Sequence, residues 1–264
     1  MGLAFLRILE LLLHLTYQIQ WKREKRVKEK WERKDLFGLI VLPLELLIGN
    51  NLIGLPFFKE NPFYFLIGGI SVNILAFVVL LMLYKSTLKK QWQQYRQHLW
   101  RNLLLALVLV VVSHLLIQFI RGALPENLIK IPTDTADSGV LQTDFKENRQ
   151  LVALFLAALP SFIAPFSEEL VFRYLLVGKA PNHFIRGIML FIQAILFGLI
   201  HYANFNGNLY ATIPYMTVGF FFGLIYLVYR NIWGSLMVHW IFNTVNQMIP
   251  TLFIIVLTLL GIAN

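Results

Sequence analysis

The 264-residue sequence contains no cysteine. Disulfides, thiolate nucleophiles and cysteine-built zinc sites are therefore excluded. Charge is scarce as well: 14% of the residues are Asp, Glu, Lys or Arg, against roughly a quarter in soluble domains. The HExxH helix of zinc peptidases is missing. No ten-residue alternating pattern appears, which argues against a membrane barrel. The first 20 residues lack a basic start and a small-residue cleavage site, so they do not read as a cleaved leader.

What the chain has instead is apolar length, with 58% hydrophobic residues. Apolar runs fall near 36–58, 61–84, 99–120, 150–177, 184–204, 209–229, 231–248 and 250–263. Roughly 18 to 20 apolar residues suffice to cross a bilayer core. The expected fold is all-α, a polytopic transmembrane bundle of about eight helices. Residues 1–35 read as an amphipathic helix, with Arg7, Glu10, His14 and Gln18 on one stripe, followed by a basic loop. Residues 36–121 form an N-terminal helical group, 122–149 a polar linker outside the membrane, 150–248 a second helical group and 249–264 a short apolar helix. The formal charge of +9 comes largely from two basic stretches, 21–35 and 85–101. Basic loops mark the cytoplasmic side of a plasma-membrane protein. Charge clustered in this way reads as topology, with no nucleic-acid partner expected; the bilayer itself is the first partner.

Ionisable residues inside membrane spans are costly and each needs a reason. In the C-terminal half these are Glu168, Glu169 and Arg173 in one span, His201 in the next, and His239 with Asn243 in a third. Pro160 and Pro165 disfavour a straight helix, and Ser167 is a good N-cap. The span is therefore expected to break near Pro165 and restart at Ser167. Adjacent Glu168 and Glu169 point about 100° apart on an α-helix, so they should not face one small site together. Glu169 can pair with Arg173 at i,i+4, which leaves Glu168 to face a cavity. Counted from the presumed inner helix ends at 1.5 Å per residue, Glu168, His201, His239 and Asn243 all lie about 11 to 21 Å deep and could converge. Glu45, after Pro43, is read as having a structural partner or a wet crevice, and His114 as a satisfied packing residue.

A carboxylate and an imidazole flanking one water can deprotonate it. A second imidazole and an amide can supply oxyanion donors. Glu168, His201 and His239 could alternatively hold a divalent metal that activates the water. Both alternatives stay open on the residues alone.

The runs Glu168-Glu169-x-x-x-Arg173, Phe197-x-x-x-His201 and His239-x-x-x-Asn243 resemble the three motifs of the CPBP family, the CAAX-protease and bacteriocin-processing (Abi) intramembrane peptidases. Pro165, Phe172, Asn204, Gly219 and Gly223 add to the resemblance, which covers about 150–248. It implies a membrane endopeptidase acting on a lipidated CAAX-type or hydrophobic peptide. Glu168 and His201 would activate water, and His239 and Asn243 would bind the oxyanion. Glu169, Arg173, Phe197 and Asn204 would support them. The family is labelled metallopeptidase, which implies Zn2+ or another divalent ion, yet a metal-free glutamate mechanism is also argued for it. Tyr174 departs from the pattern, since a Gly often follows the Arg. A non-proteolytic immunity or regulatory protein that binds a partner is the alternative reading.

Overall fold

The computed structural model describes residues 31–52, 55–129 and 147–262. The expected amphipathic helix of 1–20, most of the basic loop and the centre of the 122–149 linker lie outside the described residues. Every regular element described is helical. In chain order, α1 is Arg33–Leu52, α2 the short Pro56–Glu60, α3 Pro62–Tyr95, α4 Leu99–Ala123, α5 the short Glu126–Ile129 and α6 Glu147–Glu168. A π-helical segment, Glu169–Gly178, continues α6. Then come α7 His183–Leu199, α8 Ile213–Tyr229 and α9 Ile232–Asn243, and a second π-helical turn at Thr244–Met248 joins α9 to α10, Ile249–Leu259. Five stretches among these residues are long and apolar enough to cross a membrane. The protein is a polytopic helical membrane bundle.

At 34 residues, α3 is about 51 Å long at 1.5 Å per residue, well beyond a hydrocarbon core of about 30 Å. Its basic end turns at Arg96–His98, and α4 returns into the bundle. Aromatic contacts tie this end to the α8–α9 junction. Trp92 lies 4.7 Å from Trp233 and Tyr95 lies 6.3 Å from Tyr229, centroid to centroid. Asn231 caps α9 by accepting from Trp233 N–H, and its own amide donates to the Gln91 carbonyl.

One sequence expectation changes here. The helix does not break at Pro165 and restart at Ser167; it runs through both prolines and then widens into the π segment. The Ser167 hydroxyl caps nothing and is buried. The apolar helix placed at 249–264 appears as α10, which starts at Ile249 and follows α9 and the π turn without interruption. After Pro165 wider i→i+5 winding, which recurs at functional sites, stands where a chain break was expected.

A buried ion pair holds α1 to the end of the π segment. Lys179 Nζ lies 2.6 Å from Asp35 Oδ2, and both side chains are almost fully enclosed. The Tyr84 hydroxyl donates to Asp35 Oδ1 at 3.1 Å, and the Trp31 indole donates to the Lys179 carbonyl at 3.0 Å. Gly38 makes this approach possible, because a Cβ there would collide with the Tyr84 hydroxyl. Tyr174, the residue that departs from the family pattern, packs edge-on against Tyr84 at 5.6 Å. Its ring also lies 5.4 Å from the Lys179 ammonium. The larger side chain is therefore accommodated by the same anchor.

Removing one partner of a buried ion pair costs about 3–5 kcal/mol, since the other charge stays buried. Asp35→Ala is expected to lower the thermal unfolding temperature in detergent markedly. Asp35→Asn should lower it too, and an unchanged melting curve for both would show that this anchor does not hold the fold.

Candidate active site

The site forms where the π segment, α7, α8 and α9 meet. Arg173, fully buried, is at its base. Its Nη1 lies 3.2 Å from Glu169 Oε1, as the i,i+4 spacing predicted. Its Nη2 donates to the Gly219 carbonyl at 3.2 Å. The guanidinium also lies 4.4 Å from the centroid of the Phe197 ring and 5.6 Å from that of Phe222. Gly219 admits this arrangement because a Cβ there would press on Phe197 at 2.8 Å.

His239 sits between the two glutamates. Its Nδ1 donates to Glu169 Oε1 at 3.0 Å, which directs the other nitrogen outward. Nε2 then lies 3.6 Å from Glu168 Oε2. The expectation that Glu168 and Glu169 could not serve one small site is thus corrected. The glutamates stand at the α-to-π transition, and one imidazole offers a nitrogen to each. Glu168 is only 6% exposed, and its Oε2 has no hydrogen-bond partner.

His201 lies in the turn just past the end of α7 rather than within a span. Glu168 contacts His239 more closely than His201. Even so, His201 is within electrostatic reach of both Glu168 and His239. Phe197 forms a shared wall, with ring centroids 5.4 Å from His201 and 5.5 Å from His239. Tyr215 lies 4.7 Å from the other side of His201, and Asn204 Nδ2 approaches His201 Nδ1 at 3.5 Å. Glu168, Glu169, Arg173, Phe197, His201, Asn204 and His239 therefore belong to one neighbourhood.

Asn243 follows His239 by one helical turn, and its Nδ2 donates to the Ser161 carbonyl at 3.2 Å. Ser161 is four residues before Pro165. In an α-helix that carbonyl would accept from residue 165, but proline has no N–H. The Asn243 amide replaces the lost donor, the kind of repair that lets prolines persist in membrane helices. Asn243 thereby fixes α9 against α6 and sets the depth of His239 beside Glu168, with its second amide hydrogen left over.

Two supporting residues escaped the sequence reading. Gln193 is fully buried and donates to the Gly219 carbonyl at 3.0 Å, the acceptor that Arg173 also uses. Phe222 stacks against His239 at 4.8 Å. Gln193 could have been found by extending the Phe197–His201 face one turn backward, because residues four apart share a helix face. His114 bridges the Val110 carbonyl and Asn246 Oδ1, both at 2.9 Å, in keeping with a satisfied packing role. Glu45 accepts from Asn73 at 2.6 Å, which is the structural partner expected for it.

Among the described residues, no three His, Asp or Glu side chains stand close enough together to hold a metal ion. Glu168 and His239 could supply two ligands; His201 does not complete the set in this arrangement.

Residues 150–245 match the family model described as Type II CAAX prenyl endopeptidase Rce1-like. Over 107 residues the chain is 28% identical to the Bacillus subtilis (strain 168) protein named "Putative membrane peptidase YdiL". The match covers 37% of this chain and 41% of that protein, so the chain spans less than half the length of this relative. No solved structure matches the chain.

If Asn243 repairs the helix at Pro165, the two residues are energetically coupled. Asn243→Ala should destabilise the parent by about 1 kcal/mol or more, as expected when a buried acceptor is orphaned. In a Pro165→Ala background, where residue 165 regains its N–H, the same substitution should have a smaller effect. Equal losses in the two backgrounds, measured by thermal unfolding, would contradict the repair.

Proposed function

We propose, from the match of residues 150–245 to the Rce1-like family model, that this protein is an intramembrane endopeptidase in which Glu168 activates the attacking water. The observation that carries the proposal is a buried glutamate oxygen without a hydrogen-bond partner, facing an imidazole oriented by a second glutamate. Glu168 Oε2 takes a proton from water as the water oxygen attacks the peptide carbonyl. His201, nearby, orients the water from the mouth of the site. The tetrahedral oxyanion accepts hydrogen bonds from the spare amide hydrogen of Asn243 and from His239 Nε2 when both imidazole nitrogens carry protons. Glu169 steadies that form by accepting at Nδ1. Glu168 then returns the proton to the leaving nitrogen as the C–N bond breaks.

The substrate class we propose is a lipidated CAAX-type or other hydrophobic peptide. Two considerations favour it: the family description, and a site placed among apolar helices that a hydrophobic substrate can approach through lipid. We further propose a plasma-membrane location with the basic loops at 21–35 and 85–101 in the cytoplasm, on the positive-inside rule. A Zn2+ or similar ion held by Glu168, His201 and His239 is not part of this scheme, because the three side chains do not gather at one point. Loss of activity on chelation, with recovery on adding back the ion, would reinstate it.

The test is cleavage of a farnesylated CAAX peptide by the purified protein in lipid nanodiscs. Glu168→Ala should lower kcat by about 10²–10⁴-fold, the usual contribution of a positioned general base. Glu169→Gln and His239→Ala should also be strongly impaired, and His114→Ala should stay near parental activity. Turnover by Glu168→Ala equal to that of the parent would overturn the assignment.

A further inference from the structure

Outside the matched region, α1 and α3 place a second polar pair beside the site. Asn73 donates from Nδ2 to Glu45 Oε1 at 2.6 Å. The other ends of the pair, Glu45 Oε2 and Asn73 Oδ1, are both buried and have no hydrogen-bond partner. Asn73 is 7% exposed. A carboxylate and an amide with unused acceptor atoms inside an apolar bundle need a donor from elsewhere.

The location indicates which donor. Phe77 lies one turn along α3 from Asn73 and packs edge-on against Phe166 at 5.4 Å. Phe166 lies on α6, the helix that ends in Glu168, so the Asn73 face of α3 packs against the helix that carries the site. Glu45 is within electrostatic reach of Glu168. Glu168 Oε2 is also an acceptor without a partner. Three groups on adjoining helices therefore each keep a buried oxygen with no donor. An extended peptide presents one N–H per residue, and at membrane depth no bulk water competes for it.

We propose that Glu45 and Asn73 form an acceptor subsite that binds backbone N–H groups of the substrate next to the scissile bond. This rests on the peptidase reading and deepens it. The N-terminal helical group then positions substrate and takes no part in the chemistry. Glu45 is a positioning residue: its Oε1 orients Asn73, and its Oε2 and Asn73 Oδ1 face the peptide.

The experiment uses a fluorescent farnesylated CAAX peptide and a series in which one backbone nitrogen at a time is methylated. Steady-state kinetics are measured for the parent, Glu45→Leu, Glu45→Gln and Asn73→Ala in nanodiscs. In the parent, one methyl position should raise KM roughly tenfold, the scale of a lost buried hydrogen bond, with kcat little changed. Glu45→Leu should raise KM for the unmethylated peptide by a similar factor and be insensitive to that same methyl. Glu45→Gln keeps an acceptor and should retain most of the parental KM. A merely structural Glu45 would not produce this coupling. Binding of the same peptides to Glu168→Ala protein, read by fluorescence polarisation, gives the answer without turnover and serves for any variant with poor activity. Additive effects of Glu45→Leu and every methyl, or an unchanged KM and binding constant in Glu45→Leu and Asn73→Ala, would overturn the subsite alone. No peptide binding to any form, or equal cleavage by parent and Glu168→Ala, would instead remove the peptidase reading beneath it.

Discussion

A guanidinium enclosed among helices is tolerable only when its charge is met. Arg173 has its charge met by Glu169 and by the rings of Phe197 and Phe222, and donates to the Gly219 carbonyl, while its Nε has no hydrogen-bond partner. Each of these contacts also fixes something else. Glu169, held on one side by Arg173, orients His239 on the other. Phe197, lying by the guanidinium, forms the wall that His201 and His239 share. Gly219, which presents its carbonyl to Arg173, also receives the Gln193 amide and so connects α7 with α8. The position of the imidazole that faces Glu168 therefore follows from how one buried cation is satisfied.

The helix that carries the two glutamates solves a second problem. Pro165 leaves a carbonyl without its helical donor, and a neighbouring helix supplies one through Asn243. The winding then loosens into a π segment where Glu169 begins. This relaxed geometry lets adjacent carboxylates approach two sides of one ring. A regular α-helix would have separated them. Helix repair and site assembly thus share the same few residues, and the 239–243 spacing on α9 serves both: the first residue reaches the glutamates, and the second holds the proline-bearing helix in place.

The N-terminal helices contribute in two ways, both through polar residues in apolar surroundings. At the basic end, the Asp35–Lys179 pair secures α1 to the end of the π segment. Deeper, Glu45 and Asn73 pair across α1 and α3, and each keeps an acceptor oxygen without a partner. The family match covers neither. The chemistry of the site is concentrated in residues 150–245, and its surroundings come from the whole bundle.

The helical membrane class was legible in the sequence because apolar runs of this length cannot be solvated and must close their backbone hydrogen bonds internally. The candidate residues were legible for a related reason: an ionisable group within such a run needs an explanation, and few residues qualify. The Glu169–Arg173 pair could be anticipated because i,i+4 spacing is a local property of one helix. Other features were not local. Whether Pro165 breaks a helix depends on whether a neighbour can replace its missing donor, and Asn243 lies 82 positions from Ser161. Whether Glu168 and Glu169 can share an imidazole depends on winding that no spacing rule reveals. The pairing of Glu45 with Asn73 depends on how α1 and α3 pack against each other. Linear order carries the inventory of polar groups and their period on each helix. Their partners are chosen by distances between helices, which exist only once the bundle has assembled.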